Sequence, residues 1–83
     1  MIISMTPNKI IVQVNSRTAT IQGEALVPGT GVSDYVVYAD TLVFWDAPYQ
    51  SEKISPAQKS AIIDGVKADL AMRNTRFEIE GLT

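Results

Sequence analysis

The feature that most constrains the fold is a helix start in the second half of the sequence. Ser55 precedes Pro56, and Gln58 stands three positions after the serine. A serine N-cap and a glutamine at the third helical position form a capping box, and proline at the first position sacrifices no hydrogen bond. The apolar residues that follow at helical spacing are Ile62, Ile63, Val66 and Leu70. We therefore predict a helix that begins at Pro56, packs through one apolar stripe and ends at about Asn74.

The segments on either side of this helix alternate between apolar and polar residues, which is typical of β-strands. We predict strands at residues 10–14, 18–27, 34–38 and 42–45 before the helix, and at 75–80 after it. Residues 2–5 fit either a short edge strand or the lead-in to the strand at 10–14. The polar break Asn15-Ser16-Arg17 predicts a tight hairpin, and Pro28-Gly29-Thr30-Gly31 predicts a hairpin loop.

The strand predicted at 18–27 has one apolar face. That face carries Ala19, Ile21, Ala25 and Val27. Gly23 lies on the same face, and a glycine in the middle of a strand indicates a bulge or the close approach of another element. The fold class that follows is α+β, with an antiparallel sheet of four to five strands, one helix packed on one face, and the order β-β-β-β-α-β. We predict that residues 1–83 form a single domain.

Composition excludes several classes of function. The sequence has no cysteine and no histidine, so it lacks disulfides, thiolate metal ligands and the commonest general base. Its net charge is −2, whereas nucleic-acid-binding domains present a basic face. No signal-peptide pattern and no membrane-length apolar run is present. We therefore expect a cytoplasmic protein that uses no cofactor and no metal and that binds neither nucleic acid nor a membrane.

The candidate binding residues lie where aromatic and acidic side chains are interleaved before the helix. Tyrosine supplies contact area at low entropic cost, and carboxylates complement a basic partner surface. Turn formation and solubility are the simpler explanation of the acidic residues. The candidates for partner binding are Tyr35, Tyr38, Asp40, Asp46, Tyr49 and Glu52. No nucleophile, cofactor loop or substrate-orienting motif accompanies them, so we expect no catalytic residues and no enzyme.

Three short motifs resemble those of a known protein family. They are Val36-Val37-Tyr38-Ala39-Asp40, Trp45-Asp46-Ala47-Pro48 ahead of the helix start, and Arg76-Phe77-Glu78-Ile79 in the last strand. Through them, the sequence over about residues 9–80 resembles the small immunity proteins of bacterial polymorphic toxin systems. The resemblance implies a cytoplasmic, non-enzymatic protein that binds and neutralises a cognate toxin domain. It transfers no binding residue, and Trp45 and Pro48 fit structural roles.

The alternative is a small structural or assembly module that acts by self-association. A sheet covered by one helix leaves its other face open, and Ile11, Val36 or Tyr38 would make an apolar patch there. The helix also carries a stripe of small residues, which indicates close packing against an adjacent segment or against a second helix in a homodimer. That stripe consists of Ala57, Ala61, Gly65, Ala68 and Met72.

Overall fold

The computed structural model describes residues 1–27 and 33–81. The described residues form five strands and one α-helix, and a short 3₁₀ turn at Ala39–Thr41 follows the fourth strand. The elements are β1 (Ile2–Thr6), β2 (Lys9–Val14), β3 (Arg17–Ala25), β4 (Tyr35–Tyr38), α1 (Pro56–Met72) and β5 (Phe77–Glu80). The α+β class and the order β-β-β-β-α-β are confirmed. The loop predicted at Pro28-Gly29-Thr30-Gly31 lies outside the described residues.

The strands form one sheet in the spatial order β1-β2-β3-β4-β5. Neighbouring strands are antiparallel from β1 to β4, as predicted, but β5 runs parallel to β4. The cause is the connection through α1: a helical crossover returns the chain to the end of the sheet where β4 began.

The local signals in the sequence are confirmed at the β2–β3 hairpin and at both ends of the helix. Val14 pairs with Arg17, so the hairpin has a two-residue turn, in which Asn15 has a φ of 57°. The Ser55 side chain accepts a hydrogen bond from the Gln58 N–H at 3.1 Å, and the Gln58 side chain accepts one from the Ser55 N–H at 2.9 Å. Asn74, also at φ 57°, follows the end of α1, where a left-handed residue is a common terminator.

The core lies between α1 and one face of the sheet. The helix contributes the four residues of its predicted stripe, and burial of each is worth about 1.5–3 kcal/mol. The buried cluster comprises Ile10, Val12, Ala19, Ile21, Tyr35, Val37, Ala39, Leu42, Trp45, Ile54, Ile62, Ile63, Val66 and Leu70.

The apolar face predicted for residues 18–27 is shorter than expected. Ala25 still shares a face with its buried cross-strand partner Tyr35, but it is exposed and Val27 is 69% exposed, so this face is not buried along its whole predicted length. The ring of Tyr35, the cross-strand partner of Ala25, lies instead over Gly23, where an added Cβ would stand 2.4 Å from the Tyr35 Cε1. The close approach predicted at Gly23 is therefore confirmed, and the same packing leaves Ala25 uncovered.

The prediction of a strand at 42–45 is also wrong. This segment contacts the sheet only through side chains and isolated backbone hydrogen bonds, without a regular ladder. It runs beside the first half of β3, which β4 does not reach. The Gln22 N–H donates to the Thr41 hydroxyl at 2.9 Å, and the Asp46 N–H donates to the Thr18 carbonyl at 2.9 Å. An isolated antiparallel β-bridge pairs Phe44 with Lys53. The Thr41 hydroxyl occupies the place of a backbone acceptor, so no regular ladder forms.

The N-terminal residues pack against α1. The Met1 side chain covers Gly65, where an added Cβ would lie 2.8 Å from the Met1 Cε. The Ile2 N–H donates to the Asp69 carboxylate at 2.9 Å, and the N-terminal ammonium lies 3.9 Å from the same group. At Gly65, the small-residue stripe is therefore explained by close packing within the chain. Among the described residues, no helix has the length and apolar character needed to cross a membrane.

Candidate functional site

The candidate site lies on the face of the sheet that points away from α1, which we call the open face. Strand residues alternate between the two faces, and paired residues share a face. Since Ile10, Val12, Ala19, Ile21 and Val37 are buried in the core, the residues between them face the other way. On β2 to β5, the open face consists of Lys9, Ile11, Gln13, Thr18, Thr20, Gln22, Glu24, Val36, Tyr38, Glu78 and Glu80.

Three carboxylates and one tyrosine of the open face come from three adjacent strands. Glu24 of β3 is opposite Val36 of β4, which is in turn beside Glu78 of β5, and Tyr38 is beside Glu80. The charged side chains surround Val36, which is only 7% exposed. We call Glu24, Tyr38, Glu78 and Glu80 the acidic patch. Its surface is negative and offers one phenol ring as an apolar contact.

Tyr38 is held in the acidic patch by its hydroxyl group. The phenol donates a hydrogen bond to the Glu24 carboxylate at 2.9 Å. This hydrogen bond raises the pKa of the Tyr38 phenol, and desolvation and the negative charges of Glu24 and Glu80 raise it further. The phenol therefore stays protonated at neutral pH and presents its ring in a defined orientation.

Asp40 and Asp46 occupy different surroundings. Asp40 is exposed in the 3₁₀ turn that follows β4, next to Gly81, whose φ is 71°. The Asp46 carboxylate accepts hydrogen bonds from the hydroxyls of Thr18 and Thr20, both at 3.1 Å. Asp40 is therefore free to contact a partner beside the acidic patch, whereas Asp46 fastens its loop to β3.

Tyr49 and Glu52 lie beside Arg17, at the start of β3. The Arg17 guanidinium carbon is 4.4 Å from the centroid of the Tyr49 ring and 5.7 Å from that of Trp45. Its Nη1 is 3.0 Å from the Glu52 Oε1. A cation of the chain itself thus neutralises Glu52 and stacks on Tyr49. Arg17 and Glu24 are the first and eighth residues of β3, a separation of about 20 Å at the rise of a strand.

Tyr35 is a core residue. Its side chain is only 2% exposed, and its hydroxyl donates to the Thr6 carbonyl at 3.0 Å. Burial raises the pKa of this phenol. The candidates thus separate: Tyr38 and Asp40 lie at the acidic patch, Tyr49 and Glu52 lie near Arg17, and Tyr35 offers no surface to a partner.

Sequence reasoning did not single out Glu24, Glu78 and Glu80 as candidate binding residues. Each alternates with residues of the core face and is exposed, as the period of a strand requires. Nothing local indicated that they lie together, because Glu24 meets Glu78 only through the registers of β3 with β4 and of β4 with β5. The one available signal was the repeat of glutamate at positions 78 and 80.

A cleft of about 600 Å³ lies between the β2–β3 hairpin and α1. Its wall includes Arg17, Trp45, Glu52 and Gln58, so it borders the ion pair of Arg17 with Glu52 and not the acidic patch. Within the part of the chain that the structure describes, no group of three or more carboxylates is arranged to hold a metal ion.

The fold and the open face define a small α+β protein with an acidic, tyrosine-bearing surface. Residues 2–80 match the family model described as Immunity protein 74. The chain therefore belongs to the Immunity protein 74 family, and its resemblance to small immunity proteins of toxin systems is confirmed. No curated protein and no solved structure matches the chain.

Proposed function

We propose that this protein is a stoichiometric inhibitor, and not an enzyme, that binds and neutralises one cognate toxin domain. Its place of action is the cytoplasm of the bacterium that makes the toxin as part of a polymorphic toxin system. The observation that carries the proposal is the match to Immunity protein 74 over residues 2–80.

The acidic patch is the surface that we propose for toxin contact. Glu24, Glu78 and Glu80 concentrate negative charge on a chain whose net charge is only −2. Toxins that act on nucleic acids or nucleotides need a basic site, and a complementary acidic surface speeds association and raises specificity. Tyr38 supplies the aromatic anchor, and Asp40 extends the surface past the end of β4. Tyr49 and Glu52 form a second proposed contact region, farther along β3.

A pulldown followed by a growth assay tests this function. The tagged protein is recovered from its native host, and each stoichiometric partner is identified by mass spectrometry. That partner is then expressed in a laboratory bacterium, alone and together with this protein. We expect growth arrest by the partner alone and restored growth on co-expression. A partner that is harmless, or whose toxicity persists in the presence of this protein, contradicts the proposal.

The self-associating module is the second candidate function, and the open face gives it little support. The patch expected there is not strongly apolar, since Val36 is 7% exposed and Ile11 is half-buried. Carboxylates surround Val36, and two copies facing each other would bring like charges together. A mass that rises with protein concentration, without a heterologous partner in the pulldown, would favour this function and a homodimer.

A further inference from the structure

The outer edge of β5 carries backbone groups that no described residue uses. The Arg76 carbonyl accepts hydrogen bonds from the backbone N–H groups of Asp34 at 2.7 Å and Tyr35 at 3.2 Å, so the backbone of Arg76 points towards β4. Successive residues of a strand direct their N–H and C=O groups to opposite sides. The groups of Phe77 and Ile79 therefore point away from β4, as those of an edge strand do.

The opposite edge of the sheet is blocked. A register shift interrupts β1 between Ile2 and Ser4, and such bulges prevent further strands from pairing. The Ile2 N–H is already bound by the Asp69 carboxylate at 2.9 Å. No comparable bulge or cap is found at β5 among the described residues. Of the two edges, β5 is therefore the one able to accept another strand.

The side chains of β5 define the strand that would fit there. Phe77 and Ile79 are half-buried against the core, whereas Glu78 and Glu80 are exposed on the open face. Residues opposite each other on paired strands share a face, and opposite charges there attract. The matching strand has apolar residues beside Phe77 and Ile79 and basic residues beside Glu78 and Glu80.

We propose that the outer edge of β5 binds an extended strand of the toxin domain in which apolar residues alternate with lysine or arginine. The added strand would continue the sheet, in the mode by which peptides augment exposed sheet edges. It would also place its basic side chains next to the acidic patch. The identity of the partner as a toxin rests on the proposed function, whereas the pairing preference rests on β5 alone.

A second copy of the chain is a poorer occupant of this edge. If the β5 strands of two copies pair antiparallel about Glu78, this residue faces Glu78 of the second copy. If they pair about Ile79, Glu78 of each copy faces Glu80 of the other. Like charges directly opposite each other are destabilising. The register centred on Glu78 also brings Glu80 beside Arg76 of the second copy. This attraction is weakened because the Arg76 Nη2 is already 3.0 Å from the Asp34 carboxylate of its own chain.

The probe for this edge is a synthetic peptide of alternating valine and lysine, titrated into the ¹⁵N-labelled full chain. We expect chemical-shift changes concentrated on β5 and slower hydrogen exchange at the amides of Phe77 and Ile79. A peptide of alternating valine and glutamate is the matched control, and we expect it to cause neither effect.

Two altered proteins separate the backbone contribution from the charge contribution. Chemical synthesis with an N-methyl group on Ile79 removes one outward donor and leaves the backbone groups that face β4 intact, so we expect the peptide shifts to disappear. Glu80→Lys should weaken peptide binding about threefold or more. Asp64→Lys makes the same charge change at an exposed position of α1, and we expect it to retain binding. Circular dichroism verifies that each protein is folded.

Three results would overturn the inference: no response to the valine–lysine peptide, shifts confined to β1 or α1, or full binding by the N-methylated protein. Protection of the Phe77 and Ile79 amides that grows with protein concentration alone would identify a second copy as the occupant. These results are independent of the growth assay. A toxin neutralised equally well by the N-methylated protein would sustain the proposed function and refute strand addition.

Discussion

Asp34 and Arg76 bind each other through four hydrogen bonds at the point where β4 and β5 begin. The Asp34 N–H donates to the Arg76 carbonyl at 2.7 Å. The Asp34 carboxylate accepts from the Arg76 backbone N–H at 3.1 Å, from Nε at 3.3 Å and from Nη2 at 3.0 Å. This contact holds the register that places Glu80 beside Tyr38, so it also assembles the acidic patch.

The first prediction concerns the pH dependence of this contact. The hydrogen bonds from Arg76 hold the pKa of the Asp34 carboxyl below its ordinary value of 3.8. A lowered folded-state pKa contributes stability that is present above the unfolded-state pKa and is lost as the pH falls through the folded-state pKa. We expect Asp34→Asn to lower the melting temperature at neutral pH, and the difference from the wild type to shrink below about pH 4.

Thermal unfolding followed by circular dichroism over a series of pH values measures this effect. Asp64→Asn, at an exposed position of α1, is the control and should leave the melting temperature close to that of the wild type throughout. A deficit of Asp34→Asn that is constant down to strongly acidic pH would mean that the carboxylate charge is not what stabilises the contact.

The second prediction concerns the glycine under the Tyr35 ring. A Cβ at position 23 would stand 2.4 Å from the Tyr35 Cε1 and 2.6 Å from its hydroxyl oxygen. The ring is buried and bonded to the Thr6 carbonyl, so it cannot move without losing that bond. We expect Gly23→Ala to lower the free energy of unfolding by about 1–3 kcal/mol, as overpacking of a core does. Urea denaturation of the variant and the wild type measures this difference.

A double-mutant cycle with Tyr35→Ala identifies the cause. If the ring is the obstacle, Gly23→Ala should cost much less in the Tyr35→Ala background than in the wild type, because contacting residues show a coupling energy. Equal costs in the two backgrounds would instead indicate that the backbone of β3 requires the glycine.

The third prediction concerns the cap of α1. Ser55→Ala removes the acceptor of the Gln58 N–H and should lower the free energy of unfolding by about 1 kcal/mol. Ser60→Ala makes the same chemical change at an exposed position inside α1. There alanine has the higher helix propensity, so this control should be neutral or slightly stabilising. Equal losses in the two variants would refute the capping role of Ser55.

The fourth prediction concerns the acidic patch and the partner isolated in the pulldown. The triple variant Glu24→Gln, Glu78→Gln, Glu80→Gln should bind this partner with an association rate about tenfold lower at low salt, because long-range attraction is weakened. Added salt screens that attraction, so the difference should narrow as ionic strength rises. Stopped-flow or surface-based kinetics at several salt concentrations gives the comparison.

The control for this prediction is Asp64→Asn, which removes a charge from α1 and should leave the rate nearly unchanged. The melting temperature of the triple variant establishes that it is folded. Asp46 and Glu52 are less suitable for such a test, because replacing them also breaks the bonds to Thr18, Thr20 and Arg17. An unchanged rate in the triple variant would remove the acidic patch from the proposed interface.

The amino-acid sequence by itself determined the features that depend on a few consecutive residues. The capping box of Ser55 and Gln58, the turn at Asn15 and Ser16, and the inward stripe of α1 were all predicted correctly. Each of these is a local hydrogen-bonding or periodicity signal that does not depend on distant residues. The glycine at position 23 was also informative, since its place in a strand indicated a close neighbour.

Only the tertiary structure decided on which face of the sheet, and beside which neighbours, each aromatic and acidic residue lies. Tyrosine is a residue type that often anchors a binding surface. The Tyr35 ring is nevertheless buried in the core, because Gly23 has no side chain and leaves room for it. Glu24 and Glu78 are distant in sequence and come together because the α1 crossover lays β5 parallel to β4. These outcomes depend on strand register and on the direction of the crossover. Both arise from the packing of the whole chain, so no short segment of the sequence predicts them.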